Sequence, residues 1–317
     1  MNHLVWRLHR NQAYLAVAAL AALTVILVIT GITMADDYRN ALANCAATQS
    51  CGDLGGILFR GDGAIMDLVD FTLVVPLLFG LFWGAPLLAK EFEDGTHNLA
   101  WTQGVSRWRW MRANIGWSLL AAAVWGAALA ARGSWWRYPE NALSSRFNAF
   151  DVQGFVPVAY ALFAVALGIA VGSVIRRVLP SLAVTLAIFV AIRVAIGVYL
   201  RPHYMAPVTK VFPLLGNDTG PSGSWVLSQG LVSPTGKFLG PGIAFSQFPA
   251  ACQAAPPPGG GKSFLGQCLA SHGFRQTITY QPANRFWAFQ GLEAAIFVVL
   301  AAALVGFAIW WVLGRDA

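Results

Sequence analysis

Residues 90–112 read KEFEDGTHNLAWTQGVSRWRWMR, the longest charged and aromatic segment lying between two strongly apolar runs, 68–89 and 115–131. If both runs cross a bilayer, the stretch between them is a loop held at the membrane surface. Its charges are ordered. Glu91, Glu93 and Asp94 precede Gly95, while Arg107, Arg109 and Arg112 follow. Acid first and base last suits a helix dipole, or a helix–turn–helix lying in the interface. Phe92, Leu99, Trp101, Trp108 and Trp110 can bury among headgroups while the polar side chains face water.

Composition agrees with a membrane setting. Of 317 residues, 57% are hydrophobic and only 11% charged, against roughly 25% charged in an ordinary soluble domain. A soluble chain of this length needs more charge to cover its surface. The net charge of +7 is accounted for by basic residues flanking membrane helices. Nucleic-acid binding is excluded as a reading, because no basic stripe interleaves with aromatics on a soluble domain.

Upstream of the stretch, the run 68–89 carries Pro76 and Pro86 and is expected to kink. Asp67 and Asp70 stand at its start, where carboxylates favour a helix N-terminus. Before it lies a polar connection, 34–67, with Cys45 and Cys51. The run 13–33 is uncharged over about 20 residues, the length needed to cross the hydrocarbon core. It is too long for a cleaved signal peptide and lacks a good cleavage site. Residues 2–12, NHLVWRLHRNQ, read as a basic interfacial helix. Downstream, 115–131 is flanked by Trp110 and Trp117 at one end and Trp135 and Trp136 at the other, as an aromatic belt predicts. A polar connection, 132–151, leads to a span at 152–175, a short basic turn at Arg176 and Arg177, and a span at 180–200. The region 201–285 is polar, rich in glycine and proline, and holds Cys252 and Cys268; a last span, 286–313, follows. The expected fold is therefore an all-α integral membrane protein of six transmembrane helices. Its parts divide at 1–200, 201–285 and 286–317.

Six spans place both termini on one side. With the N-terminus inside, nine Lys and Arg residues lie on inner segments and five on short outer ones. The long 201–285 loop is left out, because long loops cross largely regardless of charge. This arrangement also puts all four cysteines outside, where disulfides persist. Sequence proximity favours Cys45–Cys51 and Cys252–Cys268; a link between the two outer loops and free thiols are the alternatives.

Few motifs carry chemistry. GGGKS at 259–263 resembles the end of a phosphate-binding loop, but Pro256 stands where the first glycine is required and no apolar strand precedes it. The chain is thus not expected to bind ATP by that route, and it shows no metal-site or nucleophile-elbow pattern. Gly80-x-x-x-Gly84 and Gly168-x-x-x-Gly172 permit close helix contact, within one subunit rather than at a dimer seam. Arg193 and Glu293 lie inside spans, each about seven residues, or roughly 10 Å, from the outer end. Charges in lipid are costly and usually face the protein interior. The two either pair or line the outer half of a substrate pathway; snorkelling or a structural hydrogen bond is the plainer alternative.

The stretch GAPLLAKEFEDGTHNLAWTQGVSRWRWMRAN, residues 84–114, resembles the first cytoplasmic loop of actinobacterial ATP-binding-cassette transporter permeases of the type-2 exporter family. WRLHRNQ before the first span is similar to that family's elbow helix. The resemblance implies that Glu91, Phe92, Glu93, Gly95, Thr96 and Trp101 form or support a coupling helix seated on an ATPase, with Arg107 beside them. Arg176 and Arg177 would make a second, smaller contact. It further implies a non-catalytic permease subunit in a bacterial cell membrane with cytoplasmic termini. ATP and magnesium would be held by a partner ATPase, present in two copies, and a second permease, identical or related, would complete the pathway. Neither a cofactor nor a metal is expected in this chain, and no nucleic acid; its other neighbour is membrane lipid. The long 201–285 region departs from the family, which usually has short apolar re-entrant helices there. The rival readings are a secondary transporter, and a membrane sensor or scaffold that binds an outer ligand through 201–285.

Overall fold

The computed structural model describes most of residues 18–44, 77–93 and 107–141, and residues 144–214, 221–240, 248–253 and 263–315. The interfacial segment 2–12 and Cys45, Cys51, Gly95, Thr96 and Trp101 lie outside the described residues. The described residues divide into two compact units. One draws on Met1–Leu143, Ala149–Arg201 and Trp287–Ala317; the other on Ser144–Asn148 and Pro202–Phe286.

The first unit is helical. The described positions between 18 and 44 are helical (α1), among them 35–40 and 42–44, which were expected to belong to a polar connection. There Arg39 pairs with Asp36 at 2.8 Å, one turn apart. A single π turn, Gly80–Gly84, leads into α2, Ala85–Glu93. Pro86 accounts for the wide turn, since its missing N–H and its ring disturb the turn before it. Next come α3 (Arg107–Trp136), α4 (Val156–Ile175) and α5 (Val178–Val194), which ends in a second π turn, Ala195–Leu200. After the second unit, α7 (Phe286–Arg315) closes the described chain. Among the described residues, four helices are long and apolar enough to cross a membrane: Trp108–Trp136, Arg146–Ile175, Val178–His203 and Ala283–Gly314.

All four run past the limits expected from hydropathy. The largest difference falls on the stretch 90–112, whose last six residues are helical and continuous with α3. RWRWMR carries three arginines in six residues, so hydropathy ends the span early. Helix propensity does not, because arginine and methionine are good helix formers.

α4 is the central helix. Its sequence, VPVAYALFAVALGIAVGSVI, is apolar on every face, and most of it is buried. Pro157 sits in its first turn, where no N–H is needed. Glycines let α2 approach it to backbone contact. A Cβ on Gly168 would lie 2.5 Å from both the Gly80 carbonyl oxygen and the Ala85 nitrogen, and one on Gly172 2.5 Å from the Ala85 carbonyl oxygen. The two glycine motifs therefore pack on each other within one chain. Around this seam Leu87, Leu88, Met111, Ile115, Val165, Ile169 and Val312 form a buried core.

The second unit corrects the all-α expectation. It holds a four-stranded antiparallel sheet of order β1-β4-β2-β3, built from Val208–Pro213, Trp225–Val232, Phe238–Leu239 and Arg275–Gln281. β4 reads RQTITYQ, with β-branched and aromatic residues that suit a pleated, half-buried surface. Ile278 and Tyr280 are buried. Phe147 stacks on Trp225 at 5.5 Å, and the Ser145 hydroxyl donates to the Gly223 carbonyl at 2.9 Å. α6, Ser263–Ser271, carries Cys268, which is disulfide-bonded to Cys252, and Cys252, Leu269 and Phe274 form a small core.

The glycine seam gives a direct test. Gly168→Ala should cost about 1–3 kcal/mol through overpacking, lowering the thermal unfolding midpoint of the purified chain. Gly306→Ala, with nothing within 4 Å of its new Cβ, should leave the midpoint unchanged or raise it slightly.

Candidate functional site

Two clusters in the helical unit, one at each end of α4, join the residues singled out from sequence. The first is ionic. A short 3-10 turn, Arg146–Val152, delivers Asp151 just before α4, and α4 itself carries Tyr160. Arg193 lies on α5 and Glu293 on α7. Arg201 follows the π turn Ala195–Leu200. A π turn closes over i→i+5, so it absorbs an additional residue. Arg193 and Arg201, eight positions apart, are thereby returned to one face of the helix.

The contacts are dense. Arg201 donates through Nε to Glu293 Oε2 and through Nη2 to Glu293 Oε1, both at 2.8 Å. Its Nη2 also reaches Asp151 Oδ1 at 2.5 Å. Arg193 lies 3.3 Å from Asp151 Oδ1 and 3.5 Å from Glu293 Oε1. The Tyr160 hydroxyl stands between the two acids, 2.8 Å from Asp151 Oδ1 and in hydrogen-bond contact with Glu293 Oε1. With one proton, it donates to one carboxylate at a time. The Arg193 guanidinium lies 3.7 Å over the Tyr160 ring, and that of Arg201 lies 4.2 Å over Phe150. Two cations and two anions make the cluster neutral. The Glu293 side chain is 0% exposed, those of Arg201 and Arg193 are 11% and 15%, and that of Asp151 is 25%. One turn before Glu293, Gln290 donates to the Phe150 carbonyl at 2.7 Å and accepts the Phe155 and Val156 N–H groups at 3.1 and 3.2 Å. It thus caps the start of α4 from α7.

Sequence reasoning placed Arg193 and Glu293 at one depth, and the structure brings them together. It missed Asp151, Tyr160 and Arg201. Asp151 and Arg201 were read as the edges of polar connections, although a lone acid and a lone base at two span boundaries were a usable signal. Tyr160 gave none, being one aromatic within an apolar helix.

The second cluster is at the other end of α4. Arg176 closes α4 in the left-handed conformation (φ 58°), and among the described residues no other non-glycine residue has a positive φ. Its N–H bonds the Gly172 carbonyl at 3.0 Å, satisfying one of the orphan carbonyls at a helix end. Its guanidinium sits 4.7 Å over the Phe92 ring. The neighbouring Glu93 accepts the Val178 N–H at 2.9 Å, a carboxylate at the N-terminus of α5. Arg177 is the exposed N-cap residue of α5. Glu91 and Phe92 are half-buried on α2, and Phe92 packs against the core. Arg107 is the first residue of α3.

An apolar helical unit with ionic groups paired in its interior is the build of a membrane protein. The ABC-2 membrane transporter related family model matches residues 17–201, and the chain belongs to that family. It is accordingly a permease-like component of a transporter. The match takes in Glu91–Glu93, the Arg176–Arg177 turn, Asp151, Tyr160, Arg193 and Arg201, and stops before the sheet and Glu293. Comparison with curated proteins and with solved structures returned no match.

Removing one member of a buried ionic set leaves uncompensated charge. Glu293→Gln should therefore cost about 3–5 kcal/mol of stability. Adding Arg193→Met, which restores neutrality, should recover part of that loss. Thermal unfolding of the two purified variants measures both effects.

Proposed function

We propose that this chain is the membrane subunit of an ATP-driven exporter and that residues 90–112 dock on a separate ATP-binding-cassette ATPase. The observation that carries the reading is the paired contact of Phe92 with Arg176 and of Glu93 with the Val178 N–H. These contacts fasten the end of α2, where the docking stretch begins, to the turn between α4 and α5. A push on the stretch would then move two spans together.

In this scheme Glu91, Phe92, Glu93, Gly95, Thr96, Trp101 and Arg107 serve the main contact, and Arg176 and Arg177 the smaller one. ATP and magnesium belong to the partner, two copies of which would serve two permease chains across a bacterial cell membrane. Both termini are cytoplasmic, so the sheet-bearing unit is on the outer side. The chain is non-catalytic. Arg193 and Glu293, with Asp151, would line the substrate pathway, their mutual pairing supporting a shared position on its wall. The ATPase can shift the helices only through contacts that differ between the closed and open states.

The expected outcome is recovery of a stoichiometric ATPase with the affinity-purified chain. Phe92→Ala and the exposed substitution Arg177→Glu should each reduce that recovery, or the ATPase activity of the complex, at least about fivefold, the lower end of measured coupling effects. The chain's unfolding midpoint serves as control for Phe92, which also packs in the core. Unchanged recovery and activity in both variants would exclude the docking role.

A further inference from the structure

We infer that the cleft between α4, α5 and α7 holds one acyl chain of an anionic membrane phospholipid, with the headgroup at Arg177. The cleft has a volume of about 350 Å³ and is lined entirely by apolar side chains. No group on its wall can hydrogen-bond a polar ligand. At one end Phe163 and Ile192 lie next to the ionic cluster, one residue before Arg193 and one turn beyond Tyr160. At the other end Val174 and Ile175 immediately precede the Arg176–Arg177 turn. Val174, Val184 and Phe307 on its rim are exposed, so it opens sideways to the surrounding medium.

Shape and lining point to the occupant. The cleft follows α4 from Phe163 to Ile175, about 18 Å at 1.5 Å per residue, and an elongated slot with no polar wall suits an extended hydrocarbon chain. The wall also lacks the small-residue stripe that lets helix backbones approach in lipid, Ala170 being its one small member.

Charge sets the headgroup. Arg177 is exposed at the turn, whereas Arg176 is half-buried with its guanidinium over Phe92. Basic pockets between membrane helices select anionic headgroups in this way. The α5 N-terminus itself is occupied, since Glu93 takes the Val178 N–H, so the phosphate would meet the Arg177 guanidinium rather than helix N–H groups. Arg177 also stands in the smaller ATPase contact proposed above, so the lipid is tested on the chain without that partner; failure of the lipid site would leave the transporter reading untouched.

The test uses the full chain purified in detergent without partners. Dioleoyl-phosphatidylglycerol or dioleoyl-phosphatidylcholine is added, and retained lipid is counted by native mass spectrometry. One phosphatidylglycerol per chain is expected, favoured over phosphatidylcholine about fivefold or more, the effect of one arginine at a membrane surface. Val171→Phe, or Val184→Phe at the rim should the first fail to fold, narrows the cleft and should remove the retained lipid. Arg177→Gln should bring the two lipids toward equal retention. Wild-type retention in both cleft variants overturns the inference, as does equal retention of the two lipids by the unsubstituted chain. Efficient cross-linking of two chains through Ile188→Cys would assign the cleft to a second copy, and also overturns it.

Discussion

The Glu293 carboxylate sits inside an apolar helix with no access to water, and the helical unit is organised around meeting that constraint. An isolated carboxylate in such a medium would cost many kcal/mol or give up its charge. Here two guanidinium groups and a phenol surround it. Those guanidinium groups need a second anion, which Asp151 provides from the start of α4. Arg201 meets both acids because one π turn sets it on the face of Arg193. The exchange of burial cost against pairing does not by itself make such a cluster strongly stabilising. What it does is tie α4, α5 and α7 to one another, since the four charges come from the ends or interiors of all three.

α4 is held at both ends by polar contacts and along its length by glycine. Gln290 and the ionic cluster fix its first turn. Arg176, Phe92 and Glu93 fix its last. Between them Gly168 and Gly172 bring it to backbone contact with α2. A helix clamped in this way is restrained at both ends and along its length, because packed interiors yield little. The left-handed Arg176 fits the same account. A non-glycine residue there carries local strain of about 1–2 kcal/mol, and the guanidinium placed over Phe92 is what the turn gains by using arginine.

Some of this was legible in the chain. Runs free of charge over about 20 residues mark membrane spans whatever their neighbours. The glycine pairs four apart announced close packing. Arg193 and Glu293 were conspicuous because ionisable residues are rare in such runs. The limits of the helices were not legible, since hydropathy drops at RWRWMR while the backbone hydrogen bonds continue. Asp151 and Arg201 were hidden by the same error, having been assigned to connections that the helices enter. The sheet was missed because VTKVFP and TITYQ are short runs within a region dominated by glycine and proline, and that composition was read as loop.

The amino-acid sequence by itself determined the medium and the elements: apolar helices for a bilayer, basic residues at their ends, and two charges inside spans. It could do so because hydrophobicity and charge are properties of residues taken singly. The tertiary structure alone decided which charges meet, through a π turn that sequence periodicity does not reveal. It also decided that the end of α2 grips the turn between α4 and α5. Both are relations between groups far apart in the chain, 85 positions for Glu93 with the Val178 N–H and 92 for Arg201 with Glu293. Only packing sets such distances, because the energy that pairs two residues exists only once the helices carrying them have been placed.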